Sequence, residues 1–562
     1  MPNKTRPTRI SATAIALLFA SLTANALDTT SQRPASGLTG EFVYKYLVGE
    51  IAGQRGDPGL AGSLFYDLAK SSRDPRLAER ATHAAAYANQ PQLALQAASL
   101  WAELDPASNE AQQAAAQLLL GAGNPGDALP HLQKLLIPEA SRASEFLYLD
   151  SILARYADKA AVLTMMQTLA KPYPKLAEAH FCVAHSAWAA GKPDLAMDEL
   201  KLADKLSPGW ELAALLRGEM LLGQSPEDAL HFYQNFLGEH PLANEVRLAY
   251  AKLLVNQKQF ELARQQFAPL AESSGSNPEI AVAAGLLSAQ LDDFAQADRY
   301  FEQALERGFK QPDQLYLYLG QSAESQKQDD KALDWYRRVG EGEQYFDAQL
   351  HIATVLARQG KLEDARTLLH GLTHLDSEQQ VIALQLEANL LSTAKNDQEA
   401  YAVLERAVTT LPNTPELIYD YAMEAEKVQR YDVMEKQLRT LMVLKPDFAQ
   451  AYNALGYTLA DRNERLDEAA RLIGKALALS PNDYYILDSM GWLQYRLGKL
   501  DQAADYLQRA YTMQADPEVA AHLGEVLWQQ GKHDQAQQTW TNALREHPDN
   551  ELLIDTAKKF GQ

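Results

Sequence analysis

One stretch recurs along this 562-residue chain and limits what it can fold into. Residues 517–550 read PEVAAHLGEVLWQQGKHDQAQQTWTNALREHPDN. Counted from Pro517, Leu523 and Gly524 fall at positions 7 and 8, Gly531 at 15, Ala536 at 20, Trp540 at 24, Ala543 at 27 and Pro548 at 32. Small residues at 8 and 20 let two helices touch, and Ala543 lets the second helix meet its successor. Gly531 suits the turn between them, because a residue without Cβ adopts turn conformations cheaply. Pro548 ends the second helix, since proline removes a ladder hydrogen bond. A chain that repeats such a unit grows by stacking rather than by enlarging one core.

The repetition is extensive. Units starting near residues 42, 76, 109, 143, 177, 210, 244, 278, 313, 346, 381, 415, 449, 484 and 517 begin 33–35 residues apart. The unit at 143 is the weakest, supported by Pro174 and the apolar pattern around Met166 and Leu169. The unit at 415 carries Met434 where a small residue is expected. This period and residue pattern resemble the tetratricopeptide (TPR) repeat, a helix–turn–helix unit of about 34 residues. The resemblance implies an all-α solenoid of about fifteen TPR repeats forming a right-handed superhelix. Residues 551–562 close it, with Leu552, Leu553, Ile554, Ala557 and Phe560 along a capping helix.

Before the repeats, residues 1–26 read as an export signal. Lys4, Arg6 and Arg9 precede an apolar run from Ala12 to Leu22, and Ala24-Asn25-Ala26 is a small-x-small cleavage site. The run is short for a membrane span. Residues 27–41 are a polar lead-in, residues 42–550 the repeat array, and the expected location is the periplasm, soluble and reaching the outer membrane only through partners. Cys182 is the sole cysteine, so no disulfide can form within the chain.

Nothing in the chain reads as chemistry. His370 and His374 have a metal-like spacing, but Gly371 follows and both are expected at an exposed turn. His180 and His185 flank Cys182 but point to different faces of a helix. There is no phosphate loop, zinc pattern or nucleophile elbow, and no sequence is left over for a catalytic domain. The expectation is a non-enzyme without cofactor or metal. With 52 basic against 73 acidic residues, a net charge of −21 argues against nucleic acid as a partner.

What remains is a surface for other proteins. Positions 2, 5, 9, 12 and 13 of each first helix are expected to line the groove, because packing occupies 4, 7, 8 and 11. In the last units these are Tyr419, Asn453, Tyr457, Tyr485, Asp488, Trp492, Tyr495, Arg496, Glu525 and Trp528. Aromatic groups with polar tips are over-represented at protein interfaces; the alternative is packing between repeats. A second candidate is the charged cluster Arg55, Arg73, Asp74, Arg76, Glu79 and Arg80, read either as a docking patch or as a solvated ion-pair network.

Several segments carry a narrower likeness: LTGEFVYKYLVGEIAGQRG from Leu38, SRDPRLAERA from Ser72, WAELDP from Trp101, DSMGWLQYRLG from Asp488 and AAHLGEVLW from Ala520. With the full-length array, they resemble the LbcA-like family of TPR lipoproteins, partners of a periplasmic carboxyl-terminal processing protease. That likeness implies a non-catalytic adaptor that binds and activates the protease and brings it peptidoglycan (cell-wall) hydrolases. The family's lipid-bearing cysteine is missing here. A scaffold for polysaccharide export or outer-membrane protein assembly is the alternative.

Overall fold

The computed structural model describes residues 39–273, 275 and 277–560. The proposed signal peptide, and residues 27–38 of the lead-in, lie outside the described residues. Among those described there are 31 α-helices and no strand. None of the helices is long and apolar enough to cross a membrane.

Thirty helices form fifteen consecutive pairs. The first is Gly40–Gln54 with Pro58–Ser72 and the last is Pro517–Gln529 with His533–Glu546. The unit that was weakest in sequence is also a pair, Arg142–Leu153 with Lys159–Ala170, sealed by Phe146, Met166 and Leu169. The chain divides into two compact units, residues 1–276 and 277–562. Seven pairs fall in the first and eight in the second.

Local chemistry explains where helices begin. Asp57, Asp74, Asp158, Asp376, Asp483 and Asp516 each accept a backbone N–H of the following first turn, satisfying donors that the helix cannot pair internally. Proline follows directly at Pro58, Pro75 and Pro517, where its missing N–H costs nothing. The turn at position 15 is left-handed. Gly531 adopts φ +78°, whereas Lys258 and Lys327 hold φ +56° and +58° at the same place without a glycine's freedom.

Packing within a pair follows from residue size. Alanine at position 20 is fully buried in twelve pairs, from Ala94 to Ala536, and Met434 is buried in its place. The glycine at position 8 faces the large residue at position 24. A Cβ added to Gly320 would meet Tyr336 at 2.3 Å, and one added to Gly524 would meet Trp540 at 2.1 Å.

At the C-terminus, Glu551–Lys559 lays Leu553 and Ala557 on the last pair, and the Phe560 ring stacks 5.6 Å from Trp540. Leu552 remains exposed. Asn550 caps this helix, and Lys558 and Lys559 lie in its last turn, where positive charge suits the dipole.

Cys182 is buried, with its thiol against the Phe146 carbonyl at 3.4 Å. Burial, and then the charges of Asp150 and Glu178, push the thiol pKa well above its usual value. Its reaction with a thiol reagent should therefore be negligible in the folded chain and complete in urea, read as released chromophore.

Candidate protein-binding wall of the last repeats

The first helices of the last four pairs are Pro415–Lys427, Ala449–Asp461, Tyr484–Arg496 and Pro517–Gln529. Each carries side chains at the positions expected to line the groove, and neighbouring helices tie these together.

Tyr485 is the open member of the set, 54% exposed, with its ring 4.1 Å from Tyr484. Tyr419, Asn453, Tyr457, Tyr495, Arg496, Glu525 and Trp528 are half-buried. Tyr419 packs edge-on to Phe448, and Trp528 packs against His533, Trp540 and Phe560. Tyr495 donates to Glu525 Oε1 at 3.0 Å. Burial, and next the Glu525 charge, push its phenol up to about 12. Lys559 of the terminal helix reaches the same carboxylate at 3.5 Å.

Two expected groove residues are not open. Asp488 and Trp492 are 5% and 6% exposed, because His522 of the next repeat covers them. The His522 ring stacks on Trp492 at 4.1 Å, and its Nδ1 lies 3.0 Å from both Asp488 oxygens. Trp492 donates through Nε1 to Asp461 at 3.0 Å, which also accepts from Arg496 at 3.2 Å. Both are corrected from groove surface to packed floor. A Trp492 substitution would disturb this floor as well as any partner, so Tyr485 is the cleaner probe of the wall.

The same register also holds carboxylates: Glu416 and Glu426 at positions 2 and 12 of one first helix, Asp461 at position 13 of the next and Glu518 at position 2 of the last. Glu426 accepts from Thr458 at 2.6 Å and Glu518 from Tyr457 at 2.9 Å. Burial, and then the charges of Asp461 and Glu518, raise the Glu426 pKa against the Thr458 hydrogen bond. Burial first, followed by Glu518 and Asp488, raises that of Tyr457. Burial alone would lower the His522 pKa; the Asp488 charge and hydrogen bond outweigh it, and the net shift is upward.

Asp488, Glu518 and His522 offer metal-ligand atoms within 4.8 Å of one another. His522 Nδ1 is already engaged by Asp488 and one Glu518 oxygen by Tyr457.

The N-terminal cluster resolves mainly into internal pairs. Arg73 meets Glu103 at 2.6 Å, Arg76 meets Asp74 at 2.7 Å, and Glu79 lies 3.9 Å from His83. Arg80 bonds Glu50 and the Tyr46 hydroxyl and lies over the Phe65 ring, fastening the second repeat to the first. Arg55 is exposed. The four histidines singled out in the sequence are also placed. His180 pairs with Glu199, His185 with Asp150 and His370 with Glu387, while His374 sits in an exposed turn.

A row of packed helix pairs with a polar and aromatic wall defines a repeat scaffold of the kind that binds proteins. Tetratricopeptide-repeat models match residues 282–345, 458–520 and 522–550. The chain belongs to the tetratricopeptide-repeat proteins, in the family of the TPR repeat-containing protein PA4667 of Pseudomonas aeruginosa. To that protein it is 37% identical over 490 residues, which cover 86% of this chain and 82% of the relative. It is also 24% identical over 181 residues to anaphase-promoting complex subunit 7 of Dictyostelium discoideum, covering 31% of this chain and 30% of that one. A solved tetratricopeptide repeat protein from Parabacteroides merdae is 15% identical and aligns over 50% of this chain and 98% of its own, with a TM-score of 0.34.

Proposed function

We propose that this chain is a non-catalytic periplasmic adaptor that holds a carboxyl-terminal processing protease, activates it and presents peptidoglycan hydrolases to it. The observation that carries the binding role is the wall of repeats twelve to fifteen, where Tyr485 is open and Tyr419, Tyr457, Tyr495 and Trp528 are half-open within one run of first helices. Such side chains supply large contact area with few rotors to freeze. The choice of partners rests on the likeness of the segments around Leu38, Ser72, Trp101, Asp488 and Ala520 to the protease-partner family. Residues 1–26 serve as the export signal, and residues 42–550 are the binding array.

The test is a gently crosslinked pull-down from periplasm with the exported chain as bait. Recovery of both a PDZ-containing serine protease and a cell-wall hydrolase is expected. Recovery of neither rejects the reading. In the same experiment Tyr485→Ala should weaken capture of at least one partner while leaving the helical circular dichroism unchanged.

A further inference from the structure

We infer that the wall of repeats twelve to fifteen takes a cationic polypeptide segment, seating a lysine or arginine side chain among Glu426, Asp461 and Glu518 beside the Tyr457 ring. This rests on the adaptor reading and specifies what its groove selects. Three of the last four first helices bring carboxylates to one place: Glu426 from Pro415–Lys427, Asp461 from Ala449–Asp461 and Glu518 from Pro517–Gln529. The helix between the last two, Tyr484–Arg496, adds Asp488 beneath them. Tyr457 stands among these groups, bonded to Glu518 and with its ring 6.2 Å from His522.

The charges do not balance. Arg496 answers Asp461 and His522 answers Asp488. Glu426 and Glu518 have only neutral hydroxyl donors, from Thr458 and Tyr457, each on one oxygen. The second oxygen of each carboxylate has no partner among the described residues and is not sealed from solvent. Half-buried carboxylates that repel one another are relieved by an arriving cation, and an aromatic face beside them adds attraction for an ammonium or guanidinium group. Placement on different repeats favours a side chain reaching into the wall over a compact ion. The net charge of −21 would draw a basic segment in from a distance.

A blocked oligolysine peptide is the probe, with blocked oligoglutamate as its counterpart, titrated against the full exported chain at low and high salt. Glu426→Gln with Glu518→Gln should weaken oligolysine binding by about tenfold or more. Asp505→Asn with Asp534→Asn, the same charge change on exposed outer positions, should weaken it less than about twofold. Carbodiimide coupling on the unaltered chain, which joins a lysine amine to a contacting carboxylate, should map to Glu426, Asp461 or Glu518 and does not depend on any variant folding.

Equal losses from the two double variants, equal binding of oligoglutamate, or coupling confined to other carboxylates overturns the inference. So does zinc or calcium alone displacing the peptide from the unaltered chain but not from His522→Gln. If the pull-down still recovers its partners when oligolysine fails, only this inference falls. If oligolysine binds as stated and the partners are absent, the adaptor role falls instead.

Discussion

Trp540→Ala should cost about 3–5 kcal/mol, the usual range for deleting a large buried aromatic side chain. Trp540 is fully buried in the last pair; its indole faces Gly524, and the Phe560 ring stacks on it at 5.6 Å. Its loss removes the contact between the two helices of the final repeat and one of those that hold the terminal helix. Repeats in a solenoid lean mainly on their neighbours, so the damage should be local. Hydrogen exchange should accelerate in Pro517–Gln529, His533–Glu546 and Glu551–Lys559, and stay unchanged in the pairs of residues 1–276.

Gly524→Ala should cost about 1–3 kcal/mol, because its methyl would lie 2.1 Å from the Trp540 indole nitrogen. In the Trp540→Ala background the cavity receives that methyl, so the double variant should lose less than the sum of the singles. Additive losses, or exchange that accelerates evenly along the chain, would show that Gly524 and Trp540 are not the coupled pair described.

Position 20 shows why the architecture was legible in the sequence. Where two helices cross, a side chain larger than alanine usually holds them apart, so Ala94, Ala128, Ala196 and their equivalents recur at a fixed stride and mark most of the pairs, with Val162 and Met434 as the exceptions. The terminal helix was legible for a related reason, as Leu553, Ala557 and Phe560 cover apolar surface of the last pair.

The wall was harder to read. Register tells which way Cβ points from a first helix, and on that basis alone Asp488 and Trp492 were expected in the groove. It does not tell whether the next repeat covers them. His522 does so from position 6, outside the groove register, and so escaped notice. Glu426, Asp461 and Glu518 sat in the groove register all along and were not singled out. In the N-terminal cluster the sequence favoured an ion-pair network, with a docking patch as its competitor. The reach of an arginine across one repeat, Arg80 to Glu50, favours the network for that residue and is invisible without coordinates.

Asp488→Ala should be the most damaging single change in the wall, at about 3–5 kcal/mol, because it strands a buried partner without its counter-charge. The His522 and Asp488 side chains are 9% and 6% exposed, and their pairing at 3.0 Å joins the last two first helices. The pH dependence separates this loss from simple packing. His522 has a pKa raised above its ordinary 6.5, with Asp488 overcoming the effect of burial. A raised histidine pKa stabilises the fold fully below the unfolded value, and that contribution is lost as pH rises through the folded value. The melting difference between the unaltered chain and Asp488→Ala should therefore be largest below about pH 6 and shrink steadily on going above 6.5. His522→Gln, which removes the titrating ring and its stack on Trp492, should flatten the profile. A difference that stays constant across this range would mean that His522 is neutral throughout, and that the contact with Asp488 is an ordinary hydrogen bond.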